Sequence, residues 1–130
     1  MNQMQNSVMV QVGVVVRDIE KTARNFAEAF GMEVLPVSVT DTVDRTGMEY
    51  RGKSSPARAK LAFFDMGGMQ LELIEPVGGP STWQEFLDTH GEGMHHIAFH
   101  VKGMKEAIAY LEGNGMPMVQ KGEYTGGRYA

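Results

Sequence analysis

The 130-residue chain contains no cysteine. Disulfides and thiolate metal sites are thereby excluded, and the absence fits a reducing cytosol. No apolar run approaches the roughly 20 residues that a membrane-spanning helix needs. No leader pattern is expected either, because residues 1–7 lack a basic stretch followed by an apolar one. Positive charge is not in excess. Twelve Lys and Arg against 16 Asp and Glu leave a net charge of −4, which argues against nucleic acid and against a membrane surface as partners. What remains is an ordinary globular composition, 42% hydrophobic and 22% charged, with 16 glycines that predict many turns. A chain of this length forms one domain that buries roughly two-thirds of its unfolded surface. The expectation is a cytoplasmic protein that works on a small molecule.

The chain repeats itself. Gln11 to Asp18 opens a strand-then-helix unit, and His96 to Gly103 opens another, 85 residues later. Val12 matches Ile97, Val14 matches Phe99, Val16 matches Val101 and Arg17 matches Lys102. The β-branched run 8–17 predicts a strand. Asp18 can cap a helix whose apolar stripe is Ile19, Ala23, Phe26 and Phe30 and whose stop is Gly31. A second strand is expected over 32–38 and a polar loop over 39–56. Strands over 57–66 and 69–75 would be joined through Gly67-Gly68. Ser81 to Gln84 is a capping-box pattern that predicts a short helix bearing Trp83, Phe86 and Leu87. The second copy reads as strand 94–102, helix 104–112, then strands near 116–120 and 127–130. One domain is thus expected, with a first module over 8–76, a linker with a short helix over 77–93, and a second module over 94–130. Judged by the first copy, the second module is incomplete and would run roughly 30 residues past Ala130.

Alternation sorts the faces of the matched strands. Val10, Val12, Val14 and Val16 share one face, and His95, Ile97, Phe99 and Val101 the corresponding one, expected to pack on helices. The opposite face carries Gln11, Gly13 and Val15 in one copy and His96, Ala98 and His100 in the other. On the strand after Gly67-Gly68, Gln70, Glu72 and Ile74 share a face. Singly, each polar residue has an ordinary explanation: Glu72 can pair with Lys60 or Arg58, and His95 can be a satisfied packing histidine. Their equivalent positions in a duplicated unit set Gln11 and His96 apart. Gln11, Glu72 and His96 offer an amide oxygen, a carboxylate and an imidazole, a set that suits Zn²⁺, Co²⁺, Ni²⁺ or Mn²⁺.

Three segments carry a family resemblance: Val12-Gly-Val-Val-Val-Arg-Asp-Ile19, Met69-Gln-Leu-Glu-Leu-Ile-Glu-Pro76 and Gly91-Glu-Gly-Met-His-His-Ile-Ala-Phe99. In these the chain resembles the vicinal oxygen chelate superfamily of glyoxalase I, bleomycin-resistance proteins, extradiol dioxygenases and methylmalonyl-CoA epimerases, most of all its epimerase branch. The resemblance implies an α+β fold of paired βαβββ modules, an open curved mixed sheet around a divalent metal ion. The implied metal ligands are Gln11, Glu72 and His96, with Gln11 standing where the epimerases carry histidine and a fourth ligand expected beyond Ala130. The implied activity is an epimerase or isomerase that stabilises an enolate of a small acyl substrate, with a CoA thioester as one candidate. Glu72 is then also the visible catalytic acid/base candidate, although ligand and base cannot both fall on it, and Glu49 in the loop is a weaker candidate for its partner. Rival functions are a glyoxalase I-type lactoylglutathione lyase and a non-catalytic drug-sequestering protein. A homodimer is the implied assembly.

Overall fold

A computed structural model describes Met4 and residues 6–130. Residues 1–3 and 5, part of the segment where no leader is expected, lie outside those described. The elements in order are β1 (Met9–Val15), α1 (Ile19–Phe30), β2 (Ser38–Val39), α2 (Val43–Thr46), β3 (Glu49–Tyr50), β4 (Lys53–Ser54), β5 (Arg58–Asp65), β6 (Gln70–Val77), α3 (Thr82–His90), β7 (Gly93–Phe99), α4 (Met104–Gly113), β8 (Gln120–Tyr124) and β9 (Gly127–Tyr129). They form an α+β fold with open, mixed sheets. A five-stranded sheet runs β2-β5-β6-β1-β7, and a four-stranded one runs β4-β3-β8-β9.

The first helix forms as its sequence predicts. The Asp18 carboxylate accepts from the Lys21 amide at 3.1 Å, and Gly31, in the left-handed region at φ 64°, closes the last turn. Ile19, Ala23 and Ala27 face inward, and Phe26 packs beside them. Phe30 does not complete the stripe; it is exposed and stacks on Phe26 instead, with centroids 5.8 Å apart. The helix covers one face of the large sheet, where Val14, Val16, Phe64, Leu71 and Leu73 meet it. Helix α3 covers part of the other face, with Trp83, Phe86 and Leu87 packing against Val15, Ala59 and Ile74. Ser81 caps it by accepting from the Gln84 amide at 3.0 Å, but the Gln84 side chain turns to Asp88, so only half of a capping box forms.

Pairing within the large sheet decides which residues meet. Strands β5 and β6 form the expected hairpin, with the Asp65 carboxylate accepting from the amides of Gly67 and Gly68, both at positive φ. Strand β6 then lies parallel to β1, with Glu72 opposite Gly13, and β7 lies antiparallel on the other side of β1, with His96 opposite Gly13. The two copies therefore join along their first strands.

Several expectations are corrected. The second strand is confined to Ser38–Val39, since residues 32–37 pair with nothing in the sheet. The segment 39–56 is not simply a loop: it holds α2, β3 and β4, and it buries Met48 and Ser55. No strand covers 116–119; β8 starts at Gln120 and pairs with β3, so the late strands of the second copy form a separate sheet with first-copy residues. In β7, Gly13 pairs with His96 and Val14 with Met94, leaving His95 as an extra residue in a β-bulge. The bulge turns His95 to the α3 side, against Phe86, rather than the face of Ile97 and Phe99. Ile97 and Phe99 themselves are exposed rather than packed on a helix.

Leu73, fully buried between α1 and the sheet, provides a test of this core. Leu73→Ala is expected to cost about 2–5 kcal/mol in urea unfolding, whereas Met94→Ala, at an exposed edge position, should stay within about 0.5 kcal/mol.

Candidate metal and acid/base site

The three residues singled out from the sequence meet on the sheet face opposite α1. The His96 Nε2 lies 3.0 Å from Gln11 Oε1 and 3.5 Å from Glu72 Oε1. Gly13 makes this possible. It sits between the residues that pair with it from both sides, and a Cβ built there would overlap the His96 ring. The His96 side chain therefore crosses over β1 at the one residue that has no side chain to obstruct it. The Gln11 amide nitrogen donates to Gln70 Oε1 at 2.6 Å, which turns its oxygen toward His96. Glu72 does not pair with Lys60; that ammonium lies 3.4 Å from Glu75, its cross-strand neighbour on the α1 face, and 3.7 Å from Glu20.

The neighbours of the trio come from α3 and the small sheet. His95 Nδ1 lies 3.0 Å from His96 Nδ1, and the His95 ring meets Phe86 edge-on at 5.4 Å. Burial, joined by the adjacent His96, holds the His95 pKa below the ordinary imidazole value, although a hydrogen bond to the Thr82 backbone opposes the shift. Tyr129 on β9 is a site-face residue that sequence reasoning missed. Its ring packs on Trp83 with centroids 6.2 Å apart, and its hydroxyl accepts from Gln120 Nε2 at 3.2 Å. Gln120 is buried, and its oxygen accepts from both the Thr82 amide and the Thr82 hydroxyl, so the hairpin is tied to the start of α3. Burial raises the Tyr129 pKa above the free phenol value, Glu72 raises it further, and the Gln120 bond partly offsets both. Opposite Tyr129 in the hairpin stands Gly122, where a Cβ would come within 2.9 Å of the phenol ring and oxygen. The only sequence trace of this arrangement was the strand expected near 127–130.

The other candidates lie elsewhere. Glu49 is ion-paired with Lys121 at 3.1 Å in the small sheet. His90 stacks on Phe86, with centroids 4.8 Å apart, and His100 is exposed. A second convergence, Asp18, Glu20 and Glu75, brings three carboxylates together at the start of α1. Helix capping by Asp18, the Ile19 amide's bond to Glu75 and the Lys60 ion pairs account for it. A cavity of about 440 Å³ opens at the start of α4, lined by Val101, Met104, Glu106 and Arg128 among others, away from the trio.

The spacing within the trio compares with that of donors around a divalent ion. Donors bound at about 2.1 Å lie about 3.0–3.4 Å from their neighbours in right-angled or tetrahedral arrangements. The observed separations of 3.0 and 3.5 Å match that spacing. One amide oxygen, one carboxylate and one imidazole suit the harder and borderline divalent metals.

A family model described as the glyoxalase/bleomycin resistance protein/dioxygenase superfamily matches residues 10–130. The chain belongs to this superfamily. Mouse mitochondrial methylmalonyl-CoA epimerase is 29% identical over 102 residues, 78% of this chain and 49% of that protein. An uncharacterized protein, YqjC of Bacillus subtilis (strain 168), is 34% identical over 64 residues, 49% of this chain and 46% of that protein. The methylmalonyl-CoA epimerase of Mycobacterium tuberculosis shares the fold, with a TM-score of 0.59 and 20% identity over 88% of this chain and 69% of that one. The chain spans about half the length of the curated relatives it matches. Among the described residues, no helix is long and apolar enough to cross a membrane.

Two outcomes test this geometry. Gly13→Ala should displace the His96 ring, seen as large shifts of its NMR signals, with an overpacking cost of about 1–3 kcal/mol. A phenol with a raised pKa ionises late in the fold and near pH 10 in the unfolded chain, so the native state loses stability as pH climbs past about 10. Tyr129→Phe should remove a late step from the alkaline absorbance titration and flatten that loss.

Proposed function

We propose that this chain carries the site of a divalent-metal-dependent epimerase or isomerase that acts on a small acyl substrate through its enolate, with methylmalonyl-CoA as the leading substrate candidate. The observation that carries the proposal is the meeting of His96 Nε2 with Gln11 Oε1 at 3.0 Å and with Glu72 Oε1 at 3.5 Å. The superfamily membership and the likeness to an epimerase over 78% of this chain support it.

Gln11, Glu72 and His96 would hold the ion, which when bound supplies Lewis-acid polarisation of a substrate carbonyl and so acidifies the neighbouring C–H. The chain's own residues do the rest. Gln11 is neutral and Glu72 carries the site's negative charge, so the pair balances only part of a dication and leaves room for an anionic substrate oxygen. Glu72, engaged with the ion, is then not free to take the α-proton. The Tyr129 phenol keeps its proton through neutral pH and presents it to the same face, where it can hydrogen-bond a developing enolate oxygen. Trp83 beneath the Tyr129 ring and Gln120 at its hydroxyl hold that proton donor in one place.

A glyoxalase-type lyase is the second reading. Gln11, in place of the epimerases' histidine, favours it.

Divalent-metal content of the purified protein is the first measurement; a stoichiometric ion is expected. Gln11→Ala and His96→Ala should each weaken metal affinity by about 10–100-fold or more, since even loss of a group that only orients a ligand costs that much. Unchanged metal content in both variants sinks the site assignment. Exchange of the α-hydrogen of methylmalonyl-CoA in heavy water, compared with turnover of a glutathione hemithioacetal, separates the epimerase from the lyase. A protein without metal and without exchange is a binder.

A further inference from the structure

The buried amide of Gln120 can sit only one way round. Thr82 opens α3, so its backbone N–H has no partner within the helix. That N–H donates to Gln120 Oε1 at 2.8 Å, and the Thr82 hydroxyl donates to the same oxygen at 3.1 Å. A backbone N–H can only donate, which fixes the oxygen there and the amide nitrogen at the other side. The nitrogen lies 3.2 Å from the Tyr129 hydroxyl and donates to it. The phenol oxygen is the acceptor of this bond, so its own proton has to point away from Gln120. Among the described residues, none accepts that proton.

Position gives the proton a use. Val15 and Ile74 are register partners, and the half-buried Tyr129 ring packs against the core that they form with Trp83. Two residues back along the same two strands stands the Gly13–Glu72 pair, on the same sheet face and about 7 Å away. Gly122, cross-strand from Tyr129, leaves the space in which the ring lies, since a Cβ there would come within 2.9 Å of the phenol oxygen. We propose that Gln120 is a positioning residue: anchored by Thr82, its amide nitrogen fills the acceptor side of the Tyr129 hydroxyl and leaves that hydroxyl to donate to an acyl oxygen of a substrate bound over Glu72. This inference rests on the enolate reading above. It adds what sets the direction of the phenol proton, and it requires that the substrate group meeting Tyr129 be an acceptor.

NMR of the Gln120 side-chain amide reads the orientation directly. Its Nε2 protons are expected to give stronger NOEs to the Tyr129 ring than to the Thr82 amide proton, and the reverse order overturns the proposal. Gln120→Glu keeps the size of the side chain and its bonds to Thr82, at a helix start where negative charge is favoured. It turns an oxygen toward the phenol, which then donates to that oxygen and not to the substrate. In the α-hydrogen exchange of methylmalonyl-CoA, kcat should fall by about 10²–10³-fold, the loss expected for one donor to a developing oxyanion, with KM little changed. Tyr129→Phe should lose as much, and adding Gln120→Glu to Tyr129→Phe should cost little more, because both changes remove the same donor. A Gln120→Glu loss undiminished in the Tyr129→Phe background marks Gln120 as a structural tie and overturns the proposal, as does a Gln120→Glu protein with the parent's kcat. A parent protein without exchange refutes the enolate reading instead, and the NOE pattern then decides the role of Gln120 by itself.

Discussion

The missing side chain at Gly13 is the constraint on which the site depends. Glu72 and His96 are both register partners of this one residue, on opposite sides of β1. Across an ordinary strand residue they would be separated by a side chain. Across Gly13 the imidazole can lie over the backbone and reach the carboxylate. Parallel pairing of β1 with β6 and antiparallel pairing with β7 are both needed, because slipping either strand by one residue would send its functional side chain to the α1 face.

The two faces of the sheet have separate duties. On one, α1 buries Ile19, Ala23 and Ala27 against Leu73 and Phe64, a continuous apolar contact with no polar interruption among its buried members. On the other, apolar packing stops partway. Val15, Ile74 and Trp83 form a second core at one end, and the polar trio occupies the remainder. Tyr129 belongs to both regions: it packs on the second core and its hydroxyl stands within electrostatic reach of Glu72. A rigid apolar platform under a polar cluster is what lets short-range donors keep a fixed spacing.

Legibility in the sequence follows from the range of the signal. The 85-residue offset pointed to Gln11 and His96 because duplication copies positions, and those two side chains do meet. Alternation placed Glu72 with them because β6 is a regular strand. It failed for His95, since a bulge inserts one residue and inverts the faces beyond it without leaving a composition signal. The strands of 116–130 were misplaced for a related reason. Periodicity reports that a segment is a strand but not which partner it chooses, and β8 chose β3, some 70 residues earlier by sequence register, over β7. Tyr129 could not be found at all by such means, because its importance comes from Gln120, Gly122 and Trp83, three contacts that only the folded hairpin assembles.

Directionality gives the trio its chemical meaning. Distances alone would allow His96 to donate to Glu72 as an ordinary buried pair. One direction is fixed from further out: the Gln11 amide nitrogen donates to Gln70, which leaves the Gln11 oxygen facing His96. That anchor lies outside the trio, at the start of β6. The elements that package the fold therefore also decide where the lone pairs point, and a glutamine can stand at the first-strand position because Gln70 gives its amide one orientation.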